Sequence, residues 1–374
     1  PELTHDLRAG SYHPPTLEML DQLGVTEEMH KTGIKVPRWQ IRDRVEGLVA
    51  EFDLSLVADE TPYPYRLHLE QHRLTPILLD KIRDTTTSVE IHFGTEVTGI
   101  EPDLDGVTVR LDRGDEHRAS FFVGCDGARS LARKIIDVDF KGFTWPDRFL
   151  VASTTFQLDE LGFSGAGYVA DPEHWAAIFH VPDTGPPGIW RIAYGTDPEE
   201  PEEDILRDER IQQRLNIILE HSNPGIDKFD LKYRSTYRVH QRVASQFYRG
   251  RIAIAGDAAH LNNPMGGLGL NGGVHDAISV GEKIRKIWHD NADFEAQFNH
   301  YDHQRRPINI KAVQAMSIRN KKLLEERDPG VRRERLNELK VIASDPVKSK
   351  AHLMNTSMIN SVREAAAVPL EETK

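Results

Sequence analysis

Apolar and polar positions along the chain alternate between two periods, and the switches mark out its elements. After Pro14-Pro15-Thr16, the apolar residues Leu17, Met19, Leu20 and Leu23 run up to Gly24, which predicts a helix with proline at its start and glycine past its end. Residues 39–52 read as a hairpin turning near Glu46-Gly47. Leu74, Ile77, Leu78 and Ile82 repeat at helical spacing and predict a helix over 71–83. Short β-rich runs follow at 89–93, 97–100, 107–111 and 120–124, separated by Asp105-Gly106 and Arg113-Gly114-Asp115. Further β-rich runs at 149–156, 168–170, 176–180 and 190–194 are divided by Gly and Pro clusters, so antiparallel pairing is expected. A helix near 211–220 and a strand over 229–239 come next. The run 251–255 then has the continuous apolar character of a buried strand and ends at Gly256-Asp257. Beyond Leu268 the pattern is helical, interrupted near Pro307, Pro329 and Pro346. This order predicts an α/β domain that is interrupted by an antiparallel layer and then completed by a returning strand and helices.

Composition narrows the function classes. The 374 residues suggest two domains or one large composite at roughly 150 residues each. Lys plus Arg less Asp plus Glu is 47 − 59 = −12, which argues against nucleic acid as partner. No apolar run approaches the roughly 18 residues of a membrane span. The single cysteine, Cys125, excludes an internal disulfide framework and a multi-thiolate zinc site. It reads as a small buried residue rather than a nucleophile. The first residues, 1–4, carry neither the basic nor the apolar stretch of a signal peptide, and a cytoplasmic protein is the expectation. Seventeen histidines raise the question of a metal, but His300 and His303 lack a matching acidic cluster, and no metal is expected.

Two stretches carry chemistry. In residues 250–260 a buried strand delivers the carboxylate of Asp257 at its C-terminal edge, where open α/β sheets bind ligands and where sugar-like hydroxyls could be held. Residues 263–273 follow with a proline, Pro264, and glycines that clear a helix N-terminus for an anion or a polarised ring. The segment 267–272 matches G-x-G-x-x-G, yet about a dozen residues separate it from the strand, so it is not the dinucleotide fingerprint. In residues 121–134 a second strand ends in Gly124-Cys125-Asp126-Gly127. There Asp126 either receives ligand hydroxyls or fixes its own turn.

Taken in order, these stretches resemble the single-component FAD-dependent aromatic monooxygenases of the p-hydroxybenzoate hydroxylase type. The resemblance rests on Arg8-Ala9-Gly10 with the helix after it, Gln71, the Asp-Gly motif around Asp126 with Ser130 and Arg133, and Gly256-Asp257. Pro264 to Asn271, His240-Gln241-Arg242, and Tyr301 with Arg305-Arg306-Pro307 complete it. It implies a Rossmann-like FAD-binding domain interrupted by an antiparallel β substrate domain, with C-terminal helices. The implied division is 1–148 for the first FAD-binding part (34–68 contributing to the substrate layer), 149–248 for the substrate domain, 249–290 for the returning strand and helix, and 291–374 for the helical end. In that family a strand, a G-x-G-x-x-G turn, a helix and a second strand precede the equivalent of Pro1. Roughly thirty residues of such a unit are therefore expected ahead of the sequence.

The resemblance further implies FAD as cofactor, with NADH or NADPH and O2 as co-substrates, and hydroxylation of a small phenolic or hydroxypyridine-like ring through a flavin C4a-hydroperoxide. The cofactor-binding residues it implies are Arg8, Gln71, Asp126, Gly256, Asp257, Pro264, Gly267, Gly269, Leu270 and Asn271. Pro264 and His240 are the candidate catalytic positions. His180, Arg191, Tyr194 and His240 are candidates for substrate contact, because they lie in the layer expected to cover the ring. His260 reads as packing. The charged helical segment 316–368 reads as a solvated cover or a homodimer surface. Two alternatives stay open on sequence alone: another FAD oxidoreductase of the same fold (dehydrogenase, epoxidase or halogenase), and a flavin-free binding scaffold.

Overall fold

The computed structural model describes residue 3 and residues 9–220 and 228–370; Arg8 lies outside them. Its largest sheet has eight strands, in the order His260–Leu261, Leu231–Ala244, Phe140–Thr154, Ile189–Thr196, Ala176–Val181, Ala166–Ala170, Arg38–Asp43, Gly47–Asp53. Neighbours pair antiparallel except Ala166–Ala170 with Arg38–Asp43, which run parallel. The hairpin 38–53 thus joins this sheet at one edge. The division expected at 149 falls inside the strand Phe140–Thr154, whose pairing with Leu231–Ala244 already begins at Phe140.

Side chains alternate between the two faces of a strand, so register decides what each face meets. Leu150 lies opposite Tyr194, and Ile178 opposite Ile192. These four are buried with Ile211, Leu215, Ile218 and Leu219 of the helix Asp208–Leu219. The other face carries Phe149, Ala177, Ala193 and Trp39. It is buried with Met265 and with Leu324, Leu336 and Leu353 from the C-terminal helices. The segment 316–368 is therefore more than a solvated cover, because it seals one side of the sheet.

A smaller sheet orders Tyr248–Arg249, Ile252–Ile254 and Phe122–Gly124, the last two running parallel with Ile254 opposite Gly124. The run 89–93, expected as a strand, is not one. Val89 and Ile91 are exposed, and no strand among the described residues pairs with their backbone, so β-propensity alone does not extend the sheet. A third small sheet joins Ser11–Tyr12, Arg66–His68 and Ile34–Val36.

The helix Leu268–Asp290 begins the C-terminal half. The helix Phe294–Ile308 contains Pro307 and continues through a wider π turn, Asn309–Gln314, into Ala315–Leu324. Proline lacks an N–H to donate back, and the widened turn accommodates the missing bond without ending the helix. Pro329 and Pro346 instead open new helices, capped by the carboxylates of Asp328 and Asp345. No helix among the described residues is long and apolar enough to cross a membrane.

Burial lowers the pKa of several histidines. His68 and His275 fall to about 3 and His352 to about 4, each chiefly by desolvation, and His13 also falls well below its usual value. In the unfolded chain these rings take a proton near pH 6.5, whereas the folded protein holds them neutral. Stability is therefore full above pH 6.5 and declines as pH falls toward the folded values. Each such ring contributes a slope of about 1.4 kcal/mol per pH unit over that window. Urea unfolding between pH 7.5 and 5 should show this decline, and His68→Gln should flatten it by about one proton. A stability independent of pH across that range would contradict the buried neutral rings.

Candidate functional site

The parallel pairing of Phe122–Gly124 and Ile252–Ile254 sets two turns side by side. The Ala255 N–H donates to the Gly124 carbonyl at 3.0 Å, so the register persists to the end of the strands. Asp126 and Asp257 leave from these neighbouring tips, and both are exposed. Asp126 uses one oxygen as an acceptor for the Leu131 and Ala132 amides, at 2.6 and 3.1 Å. It thus fixes its own turn and caps the helix Leu131–Ile135. Cys125 is exposed rather than buried; desolvation, then the Asp126 charge, raises its thiol pKa and keeps it protonated.

Beneath Asp257 lies a network of buried charge. Gly256 sits at φ +60°, a conformation that glycine reaches readily, and its N–H donates to the Asp276 carboxylate at 3.1 Å. Asp276 also accepts from His260 Nε2 and from Arg305 Nε, each at 2.8 Å. Desolvation alone would raise its pKa, but His260 and Arg305 outweigh burial and hold it down at about 2. Tyr301 donates its hydroxyl to the Ile254 carbonyl at 2.8 Å. His260, Tyr301 and Arg305 are therefore the buried supports of the Gly256-Asp257 turn, and His260, expected only to pack, is a hydrogen-bonding partner of Asp276.

The loop before Leu268 is shaped for close approach. Gly266 and Gly267 have φ of +109° and +65°, and Gly267 caps the helix without a side-chain bond, which leaves first-turn amides for a ligand. Pro264 is half-buried there, and its carbonyl accepts the Gly267 N–H at 2.9 Å. A Cβ on Gly269 would come within 2.9 Å of Asn262 Oδ1. Two expected cofactor residues turn inward. Leu270 packs against the cluster around Tyr12 and Leu17. Asn271 is fully buried, its Oδ1 accepting from the His13 N–H and Thr16 and its Nδ2 donating to the Ser11 and Gly267 carbonyls. With its side-chain amide fully engaged, Asn271 clamps the helix to the chain's early residues, which leaves only its main chain for a ligand. Gln71 opens the helix Gln71–Thr85, its N–H donating to the Ala9 carbonyl at 3.0 Å. The parallel tips, the uncapped helix start and the positive-φ glycines fit a flavin dinucleotide lying across them.

The four candidates for substrate contact are not brought together. Arg191 lies on the face that meets the Pro264 loop and lines a cleft with Ser153 and Lys232, its guanidinium 3.6 Å from Glu70. Tyr194 is on the opposite face, under the helix Asp208–Leu219 and in a separate cavity with Arg210 and Arg214. His180 stacks on Trp190 at 4.6 Å and bonds the Pro187 carbonyl, also away from the loop. His240 bonds Thr144, whereas its neighbour Gln241 points to Asn263 in the loop. Strand alternation separates them, so the sequence-based grouping fails for His180, Tyr194 and His240. It passed over Gln241, whose side chain joins Asn263, Gln314 and Ser317 in one buried network behind Pro264. It also passed over Tyr168, whose hydroxyl is hydrogen-bonded to the Gly266 backbone and to Asn320. No local sequence pattern singles out Gln241, because its partners Gln314 and Ser317 lie 73 and 76 residues away.

Residues 1–316 match the FAD binding domain family. The chain belongs to that family. It is 31% identical over 366 residues to the para-nitrophenol 4-monooxygenase of Pseudomonas sp. (strain WBC-3), covering 97% of this chain and 89% of that protein. It is 30% identical over 329 residues to the 6-hydroxy-3-succinoylpyridine 3-monooxygenase HspB of Pseudomonas putida, covering 86% of this chain and 80% of that protein. The crystal structure of p-nitrophenol 4-monooxygenase PnpA from Pseudomonas putida DLL-E4 superposes with a TM-score of 0.89 at 31% identity, over 97% of this chain and 90% of that one. This member of the family is accordingly a flavoprotein monooxygenase with FAD as cofactor, and the flavin-free scaffold is set aside.

The Asp276 network gives a direct expectation. Asp276→Asn removes the charge that neutralises buried Arg305, and breaking such a pair costs about 3–5 kcal/mol. Urea denaturation at pH 7.5 should register that loss, with a smaller one for His260→Gln. Equal stability of Asp276→Asn and wild type would exclude the network as the support of the turn.

Proposed function

We propose that this enzyme uses NAD(P)H and O2 to hydroxylate a small electron-poor phenol or hydroxypyridine, a ring of the nitrophenol type. What carries the reading is the seam where the Pro264 loop, with Met265 buried, meets the aromatic face of the large sheet. FAD, when bound, supplies hydride acceptance and O2 activation. The protein's own residues then bind and orient. Asp257, at the tip of its strand, would hold the ribityl hydroxyls, and Gly256 would let the backbone approach. Free amides of the first helical turn, with the positive end of the helix dipole, favour negative charge developing on the ring system next to them. Pro264 and the buried Met265 shape the wall between cofactor and substrate. Trp39, Tyr168 and the C-terminal helices keep that space apolar and exclude water.

Asp257→Ala should weaken FAD retention about 10-fold or more, from the loss of charge-assisted hydrogen bonds to hydroxyls. Flavin absorbance after gel filtration measures this, and full occupancy in the variant would remove Asp257 from the cofactor's contacts. With 4-nitrophenol, NAD(P)H oxidation should accelerate, and product formed under 18O2 should carry the label. Label arriving from H218O instead would exclude oxygen insertion from O2.

A further inference from the structure

Arg66 is a buried cation with no anion. It stands on the strand Arg66–His68, directed to the same seam between sheet face and Pro264 loop, with only 8% of its surface open. Its guanidinium lies 5.3 Å from the Trp39 ring, and the charge is felt by Tyr168, His13 and His352 around it. Among the described residues no carboxylate forms an ion pair with it, and its Nε has no hydrogen-bond partner. Other buried arginines among the described residues do meet acceptors: Arg305 meets Asp276, Arg133 the Ala128 and Ala258 carbonyls, Arg42 Gln40 and the Gly162 carbonyl, and Arg191 Glu70, although Arg42 and Arg191 each keep one nitrogen with no hydrogen bond. A guanidinium taken out of water without a partner is costly, so a site that keeps one is built to meet its anion from outside.

The surroundings repeat the asymmetry. Trp39 Nε1, which can only donate, is likewise buried without a partner, and so is His352 Nε2. Trp39, Phe52 and His352 stack as one cluster, with Trp39 4.8 Å from Phe52, 5.9 Å from His352, and those two 4.5 Å apart. The place therefore offers flat aromatic walls and stranded donors, but no acidic group. A flat ring bearing an anionic oxygen supplies what is missing on both counts.

We propose that Arg66 is the residue that recognises the aromatic substrate, binding the ring's negatively charged oxygen group with Trp39 Nε1 as a second donor. This rests on the reading of the seam as a substrate site. It adds that the substrate is taken as an anion and that Arg66, rather than Arg191 or the histidines of the sheet, selects it.

The test uses the full chain loaded with FAD, titrated calorimetrically at pH 8.5 without NAD(P)H. The probes are two matched pairs, 4-nitrophenolate with 4-nitroanisole and 4-hydroxybenzoate with 4-hydroxybenzamide. In wild type the charged member of at least one pair should bind about 30-fold tighter than its neutral partner, the scale of a charge-assisted hydrogen bond. Arg66→Met should bring both pairs within about 3-fold, while Arg66→Lys keeps part of the preference. Because Arg66→Met deletes an uncompensated buried charge, its melting temperature should hold or rise. Equal binding of charged and neutral partners by wild type overturns the proposal without any variant. So does an Arg66→Met protein that loses FAD or stability but still prefers the anion, since Arg66 would then serve the cofactor or the fold. Binding is read without turnover, so a chain that selects anions but hydroxylates none would overturn the proposed function and leave this assignment standing.

Discussion

One buried carboxylate, Asp276, holds the cofactor side of this molecule together. It receives the amide of Gly256 at the strand tip, the imidazole of His260 just beyond the turn, and the guanidinium of Arg305 from the next helix. A lone carboxylate at that depth would take up a proton, but the charges and hydrogen bonds of His260 and Arg305 outweigh burial and keep it ionised. The same bonds fix where the turn of Asp257 sits relative to the helix Leu268–Asp290. At the other end of that helix's first turn, Asn271 repeats the logic with a neutral group, tying Gly267 to Ser11, His13 and Thr16. Between the two clamps lies the stretch of free backbone amides. The motif is thus rigid for reasons located outside it, in residues 276, 305 and 13.

The two acidic turns and the glycine-rich helix start were legible because they are local. A strand ending in an acidic turn, with glycines before a helix, states its geometry within a dozen residues, and Asp126, Gly256, Asp257 and Pro264 sit where that pattern puts them. The parallel register of the two tips was implied by their like endings, and Ile254 does lie opposite Gly124. The substrate side resisted for an equally physical reason. In a sheet, a residue's face depends on register with partners far away in sequence, and one step moves a side chain to the opposite side. His180, Tyr194 and His240 belong to the right layer and face away from the loop. Arg66, on the short strand Arg66–His68 ahead of the helix Gln71–Thr85, showed nothing locally that separates it from any other charged residue.

Segment 89–93 makes the complementary point. Its composition favours a strand, yet backbone hydrogen bonds need a neighbour, and none of the described residues offers one. Leu324, Leu336 and Leu353 erred in the other direction. Interleaved with charge, they read as a solvated helical surface, but tertiary packing gathers them onto the sheet face. In both cases the deciding term was a long-range contact.

The charge distribution gives the proposed substrate reading a further constraint. The chain carries a net charge of −12, which at long range disfavours approach of an anion. Such repulsion is screened over about 8 Å in physiological salt. Selection of an anionic ring must therefore act at contact, after entry, where desolvation makes a single guanidinium decisive. The histidines around Arg66 serve that arrangement by staying uncharged: desolvation first, with Arg66 adding to it and Arg319 ahead of Arg66 at His352, holds His13, His68 and His352 below their usual pKa. The three histidines consequently add no positive charge to that of Arg66. A single anion neutralises it, and a second finds nothing left to meet.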